Sequence, residues 1–260
     1  MNYWQAVLLG LVQGVTEFLL VSSSGHLVLV EALTGVKTPG ILVEVLLHAA
    51  TLGSVLVVYG RRLAAIAVWV LTRRSEDLRY AGLLVLATIP GGVVGWLLHD
   101  IVEAVFHALL VVGVGFVATG LVLWSTRRLA GSKATPSAVG ALAIGVAQAV
   151  AILPGVSRSG STVSAALWCG LGHTAAAEFS FLMAVPLIAG AALKDGLHAG
   201  FDLAAVGALP LAVSCAVALV SGVWSIRLLV ALLRGGRFHA FAPYCWALGG
   251  FTILYALWRA

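Results

Sequence analysis

Two short polar segments interrupt an otherwise apolar chain, and both combine ionisable and hydroxyl side chains. The first, residues 13–26, contains Glu17, and the second, residues 154–162, is centred on Arg158. A guanidinium beside hydroxyl groups and the first backbone amides of a helix is an arrangement that binds phosphate oxygens. The second segment therefore predicts a phosphate-binding loop that begins with a proline-glycine helix break.

Glu17 and His26 are the groups of the first segment that can exchange protons. Gln13 precedes Glu17 by four residues, so the two share one helical face. An ionisable side chain inside a membrane is expensive and indicates function. His26 can act as a base or as a nucleophile near neutral pH. The sequence leaves open whether His26 attacks directly, or whether His26 or Glu17 activates a serine or water.

The composition places these segments in a membrane protein. Of 260 residues, 61% are hydrophobic and 10% are charged, whereas a soluble domain carries about 25% charged residues. The mean hydropathy is +1.08. Cys169, Cys215 and Cys245 lie singly in apolar stretches, which predicts neither a disulfide framework nor a cysteine metal site.

Six apolar stretches are long enough to cross a bilayer, which takes roughly 20 residues. The predicted spans are 41–59, 80–98, 108–126, 175–193, 203–224 and 240–258.

Shorter apolar arms flank the two polar segments. Residues 5–20 and 27–33 surround the first, and 138–153 and 163–171 surround the second. Irregular backbone at membrane depth is tolerated where protein or a water-filled cavity surrounds it. Each pair of arms therefore predicts a re-entrant helical hairpin.

The two halves of the chain are related by an internal repeat. A shift of 135 positions carries Gly10 onto Gly145, Gln13 onto Gln148 and Ser22 onto Ser157. One hairpin and three spans per half make the second half inverted relative to the first, and such repeats place a site at their interface. We predict an all-α polytopic fold, a single membrane domain with inverted repeats over about 1–133 and 136–260.

The basic residues predict the orientation. Eleven of the fifteen Lys and Arg fall in three gaps between apolar stretches, which we place in the cytoplasm by the positive-inside rule. Both termini then lie outside. Grouping in loops also argues against a nucleic-acid partner. The residues of the three gaps are Arg61, Arg62, Arg73, Arg74 and Arg79; Arg127, Arg128 and Lys133; and Arg227, Arg234 and Arg237.

The two polar segments resemble the undecaprenyl-diphosphate phosphatase family of the bacitracin-resistance type. That family carries Glu/Gln-Gly-x-Thr-Glu-Phe-Leu-Pro-Val-Ser-Ser-x-Gly-His, matched at 13–26, and Pro-Gly-x-Ser-Arg-Ser-Gly-x-Thr, matched at 154–162. Residues 177–186 are also similar to the family. The resemblance implies hydrolysis of undecaprenyl (C55 isoprenyl) diphosphate to the monophosphate and phosphate. It further implies a bacterial cytoplasmic membrane, a site open to its outer side, carrier recycling for peptidoglycan synthesis and bacitracin resistance.

The resemblance and the repeat together suggest roles for individual residues. The expected catalytic residues are Glu17, His26, Ser157 and Arg158. The expected phosphate-binding residues are Ser23, Ser24, Arg158, Ser159, Gly160 and Thr162. The expected supporting residues are Gln13, Gln148, Glu44, His48 and Glu178.

The family is associated with divalent cations, so Mg²⁺ or Ca²⁺ with Glu17 as ligand is an expectation of the resemblance. Two departures from the family pattern bear on it. Gln13 stands where other members carry a carboxylate, so the sequence has no carboxylate pair here. Leu20 replaces the usual proline, which predicts a less rigid first loop. Membrane lipids and a homodimer are the other expected partners.

Two other functions compete with this prediction. Residues 23–26 resemble an element of acid-phosphatase-like lipid phosphatases, but Ser164 and Trp168 stand where that family needs histidine and aspartate. A polyprenyl-phosphate transporter or flippase would use the same anion site without cleaving its ligand, and fold analogy does not separate it from a phosphatase.

Overall fold

The computed structural model describes residues 1–35, 41–72, 75–198, 207–233 and 236–259. Within these ranges the chain forms eleven α-helices, two 3₁₀ turns and no β-strand. The helices are α1 Tyr3–Phe18, α2 Ser23–Thr34, α3 Ile41–Thr72, α4 Ser75–Leu97, α5 His99–Phe106, α6 Leu109–Ser125, α7 Ala138–Val150, α8 Arg158–Trp168, α9 His173–His198, α10 Ala208–Leu233 and α11 Ala242–Arg259.

Six of these helices are long and apolar enough to cross a membrane, which confirms a multi-pass, all-helical membrane protein. The candidate spans are Val45–Val68, Leu78–Leu97, Leu109–Arg128, His173–Leu193, Ala208–Leu233 and Phe238–Arg259. The four helices around the polar segments, α1, α2, α7 and α8, have 16, 12, 13 and 11 residues. At 1.5 Å per residue each is shorter than a hydrocarbon core of about 30 Å.

The predicted end of the first span was wrong. Helix α3 continues to Thr72, so Arg61 and Arg62 lie in a helix and not in a loop. The Nε of Arg62 donates to Glu178 at 2.7 Å, and its guanidinium lies 5.3 Å from the centre of the Tyr80 ring. The averaged hydropathy falls at such a charge and ends the predicted span. The helix nevertheless extends past an arginine whose charge is paired.

Other boundaries also differ from the prediction. Arg79 and Arg227 lie inside α4 and α10, and the short helix α5 was not predicted. The predicted span 203–224 begins outside the described residues, at 203–206. Three basic residues used for the orientation also lie outside them: Arg73, Arg74 and Arg234.

Two of the four short helices, α1 and α7, pack against spanning helices of the opposite half of the chain. Helix α1 lies along α10, α7 lies along α4, and α6 packs on α11. A Cβ on Gly10 would stand 2.3 Å from the Ser214 carbonyl oxygen, and one on Gly145 would stand 2.5 Å from that of Ala87. Glycine at these two repeat-related positions therefore permits close backbone contact, as at other interfaces between membrane helices.

Candidate active site

The first polar loop connects α1 to α2 through an unusual backbone. Leu20 and Ser22 both have φ of +68°, a left-handed conformation that non-glycine residues rarely adopt. The hydroxyl of Ser22 then accepts from the Gly25 amide and begins α2. Leu20 is fully buried. Packing therefore holds this loop in a backbone conformation that is unfavourable for leucine and serine.

The second loop begins α8 with a helix cap. Gly155 has φ of +84°, and a Cβ there would stand 2.2 Å from the Val112 carbonyl oxygen of α6, so only glycine fits. Ser157 caps the helix, because its hydroxyl accepts from the Gly160 amide at 3.0 Å and its carbonyl from the Ser161 amide. Arg158 is the first residue of α8.

The two loops meet at Glu17 and Arg158. The Arg158 guanidinium donates to Oε1 of Glu17, and the Ser159 hydroxyl donates to the Glu17 backbone carbonyl at 3.0 Å. The second loop thus contacts both the side chain and the backbone of Glu17, which fixes the position of one loop relative to the other.

The second carboxylate oxygen of Glu17, Oε2, is also engaged. It accepts from the Ser23 hydroxyl at 2.5 Å and from Nε2 of Gln13 at 3.0 Å, and Nε2 of His48 lies 3.8 Å away. Burial raises the pKa of Glu17. Arg158, His48 and these hydrogen bonds outweigh burial, so the pKa of Glu17 lies below its usual value of 4.5. Glu17 is therefore a buried carboxylate that stays ionised.

A cavity of about 330 Å³ opens beside this ion pair. Its polar wall contains Glu17, Arg158, His48, Ser157 and the serines 22–24. The remaining wall is apolar and comes mainly from α3, α5 and α9: Val45, Val102, Phe106, Ala151, Ile152, Val156, Leu187, Ile188, Ala191 and Ala192. The cavity therefore presents a polar anion site next to a surface that suits a hydrocarbon chain.

His26 is not among the residues that line this cavity. Its Nδ1 lies 2.7 Å from the Ser22 carbonyl, which can only accept, so Nδ1 carries the hydrogen. Its Nε2 then accepts from the Tyr244 hydroxyl at 2.7 Å. Burial lowers the pKa of His26, and the bond to Ser22 opposes that in part. His26 is thus a neutral imidazole whose Nε2 lone pair accepts from the Tyr244 hydroxyl.

Several predicted site residues face elsewhere. The Thr162 hydroxyl contacts the Arg158 carbonyl and Ser180, so it supports α8 and does not line the cavity. The Gly160 amide is used by the helix cap. Glu178 binds Arg62 and is not among the residues that line the cavity.

Gln148 and Glu44 complete the predicted set. Gln148 is 1% exposed, and its amide packs on Gly91 of α4 without a hydrogen-bond partner among the described residues. Glu44 lies on α3, but its side chain is outside the described part of the chain.

Two residues at the site were not predicted from the sequence, namely Thr119 of α6 and Tyr244 of α11. The Thr119 hydroxyl contacts the second loop, and Tyr244 contacts His26. Both stand alone in apolar spans. The sequence signal for each was a hydroxyl side chain inside a span. Such a side chain occurs in ordinary helix packing as often as in a functional site.

The first two amides of α8, those of Arg158 and Ser159, are candidate donors to a bound anion. Neither N–H has an acceptor within the described residues, whereas those of Ser157, Gly160 and Ser161 are bonded. They are the first two amides of α8, where the helix dipole favours negative charge. A phosphate oxygen can accept from both amides while the remaining guanidinium N–H groups bind its neighbours.

Comparison with known proteins finds similarity over nearly the whole chain. The family model described as "Bacitracin resistance protein BacA" matches residues 6–251. A protein of Desulforapulum autotrophicum named undecaprenyl-diphosphatase is 37% identical, with 98% of each chain covered. Proteins of the same name from Desulfosudis oleivorans and Syntrophotalea carbinolica are each 40% identical, over 96% of this chain and 97% of theirs.

Proposed function

The chain belongs to the bacitracin resistance protein BacA family, and from this premise we propose that it hydrolyses undecaprenyl diphosphate to undecaprenyl phosphate and inorganic phosphate. Its relatives of similar length are named undecaprenyl-diphosphatases. The observation that carries the proposal is the cavity, which joins the Glu17–Arg158 pair to a wall of apolar side chains.

The terminal phosphate would bind at the start of α8. The amides of Arg158 and Ser159 and the guanidinium of Arg158 would donate to its oxygens. Ser23 and Ser24 lie at the start of α2 in the opposite cavity wall. In phosphoryl transfer, positioning and charge stabilisation supply nearly all of the catalysis. Glu17 would hold the guanidinium in place, because both of its oxygens are committed to the two loops.

The reaction breaks the bond between the terminal phosphorus and the bridging oxygen. The bond electrons leave with the lipid monophosphate, and an oxygen from water ends on the terminal phosphorus. Either Nε2 of His26 attacks first and water cleaves the phosphohistidine, or a base takes the proton of an attacking water. In a third route the base takes the proton of an attacking serine, and water then cleaves the phosphoserine. Direct attack requires Nε2 to leave the Tyr244 hydroxyl, which it contacts in this structure.

The residues at the site do not fit a dedicated divalent-cation site. Mg²⁺ and Ca²⁺ take six or more oxygen ligands, usually with several carboxylates or waters. Among the described residues of the cavity wall Glu17 is the single carboxylate, and its two oxygens already accept from Arg158, Ser23 and Gln13. No group of three His, Cys, Asp or Glu in the described ranges is suited to a metal ion. We derive no catalytic step through a metal.

The packing supports an inverted repeat with re-entrant arms. The pairs α1 with α10 and α7 with α4 exchange under the repeat, and α6 packs on α11 at its centre. The two loops, at repeat-related positions, meet at the Glu17–Arg158 pair. In this arrangement the short helices enter the bilayer from opposite sides, and the site lies near its midplane.

We place the protein in the bacterial cytoplasmic membrane with the cavity open to the outer side, where it would recycle the lipid carrier for peptidoglycan synthesis. The orientation rests on Arg127 and Arg128 of the 3₁₀ turn Thr126–Arg128 and on Lys133. These basic residues lie between α6 and α7, at the helix ends remote from the cavity, and the positive-inside rule places them in the cytoplasm. A homodimer remains a prediction, which chemical cross-linking in membranes tests.

Phosphate release by purified protein in detergent tests the function directly. Farnesyl diphosphate and longer isoprenyl diphosphates are the substrates, with and without a chelator. Turnover that increases with chain length supports the apolar wall as the prenyl site. Binding without release would instead indicate a transporter, and complete loss with chelator would contradict the metal argument.

A further inference from the structure

We propose that Thr119, in the middle of α6, is a positioning residue for the phosphate-binding loop. Its hydroxyl would set the direction of the first amides of α8 and of Arg158. The inference rests on the proposed function, since it explains how that function's anion site keeps its geometry.

The hydroxyl of Thr119 bridges two backbone groups of the loop. It accepts from the Ser157 amide at 2.9 Å and donates to the Gly155 carbonyl at 3.1 Å. Thr119 is 1% exposed, so water does not replace it readily. Both loop groups come immediately before α8, and a buried backbone group without a partner costs about 1–3 kcal/mol.

The loop lies directly on α6 around this bridge. A Cβ on Gly115, one helical turn before Thr119, would stand 2.5 Å from the Pro154 carbonyl oxygen. Gly155 likewise contacts the Val112 carbonyl and has φ of +84°. Steric contact therefore determines how close the loop approaches α6, whereas the Thr119 hydroxyl determines how the peptide groups at 155 and 157 are turned.

The orientation of Ser157 passes directly to the anion site. Its hydroxyl caps Gly160, and the next two amides, of Arg158 and Ser159, are those left for phosphate. Rotation of the Ser157 peptide group would redirect both amides and move Arg158 relative to Glu17. Misplacement of catalytic groups by about 1 Å can cost about 100-fold in rate.

Thr119→Val removes the hydroxyl and keeps the shape, and Thr119→Ser keeps the hydroxyl. The matched control is Thr252→Val: Thr252 is also fully buried in a spanning helix, but its hydroxyl donates only to the Leu248 carbonyl of its own helix. The measurements are kcat and KM with farnesyl diphosphate, the inhibition constant of orthophosphate and the thermal midpoint in detergent.

We expect Thr119→Val to lower kcat/KM by about 100-fold and to weaken orthophosphate inhibition, while Thr119→Ser and Thr252→Val resemble the wild type. A purely structural role would lower the thermal midpoint and leave orthophosphate inhibition unchanged, which would overturn the inference. Normal turnover in Thr119→Val would also overturn it. If that variant does not fold, Thr119→Ala repeats the test, and failure of both while Thr252→Val folds counts against positioning.

Failure of the proposed function has a different signature. In that case the wild type releases no phosphate from any isoprenyl diphosphate, and Arg158→Lys changes nothing. Orthophosphate binding measured by calorimetry then still tests the effect of Thr119 on the loop. Loss of activity in Arg158→Lys with full activity in Thr119→Val would retain the function and reject the inference.

Discussion

The carboxylate of Glu17 and the guanidinium of Arg158 form an ion pair between residues 141 positions apart in sequence. The side chain of Glu17 is 4% exposed and that of Arg158 is 19% exposed. Each charge therefore depends on the other, while Arg158 retains access to the cavity. The predictions below follow from this pair and from the two loops that present it.

Arg158→Lys keeps the positive charge but loses the planar fork that binds two oxygens at once. We expect phosphate release to fall at least about 100-fold, roughly 3 kcal/mol of transition-state stabilisation. Steady-state turnover of farnesyl diphosphate by the folded variant measures this. Wild-type turnover would show that the phosphate binds elsewhere.

Glu17→Gln keeps the size of the side chain and leaves Arg158 without its partner. The loss of stability should be below the about 3–5 kcal/mol of a fully buried pair, since Arg158 is partly exposed. Because the pKa of Glu17 lies below its usual 4.5, its stabilisation is complete above that value and is lost as pH falls through the lowered pKa. The difference in thermal midpoint between wild type and variant should therefore shrink on acidification below pH 4.5. A difference independent of pH would contradict the ionised state of Glu17.

His26→Asn separates the two nitrogens of the imidazole. An asparagine amide can still donate to the Ser22 carbonyl as Nδ1 does, but it has no equivalent of Nε2. If Nε2 does the chemistry, this variant should lose about 100-fold or more in turnover, and His26→Ala should lose as much. Rapid quench of the wild type then distinguishes a nucleophile, which leaves phosphohistidine, from a base. Retained turnover in His26→Asn would mean that His26 only holds the first loop.

Leu20→Pro tests the backbone of the first loop. Proline holds φ near −65°, whereas Leu20 has φ of +68°, so the usual proline of the family cannot take up this conformation. We expect Leu20→Pro to be less stable than Leu20→Ala, which loses the same buried side chain but can keep the left-handed backbone. Equal thermal midpoints for the two variants would show that the loop accepts either conformation.

Single cysteines test the orientation of the helices. In a background without Cys169, Cys215 and Cys245, we expect Asp100→Cys to react with an impermeant thiol reagent applied outside intact cells. Ser132→Cys should react only after the membrane is opened. Both positions are exposed in the fold, so the membrane decides their reactivity. The opposite labelling pattern would show that the protein has the reverse orientation in the membrane.

Packing accounts for the boundaries that could not be read from the sequence. Arg62 ended the predicted first span because its charge lowers local hydropathy, yet its bond to Glu178 keeps it within α3. The same bond gives Glu178 a partner on α3 that the repeat did not indicate. Leu20, which is expected to loosen the first loop, is fully buried and has a left-handed backbone that the sequence did not predict.

The sequence by itself determined the membrane class, the short helices around each polar loop and the residue types of the anion site. These are local properties: hydropathy over a span, a proline-glycine break, and a serine before an arginine at a helix start. Only the tertiary structure decided which of these groups meet. It paired Glu17 with Arg158, directed His26 toward Tyr244 and Thr162 toward Ser180, and placed Thr119 under the second loop. Such contacts depend on how helices distant in sequence pack, and that packing is set by shape and backbone contact, which a single sequence does not display.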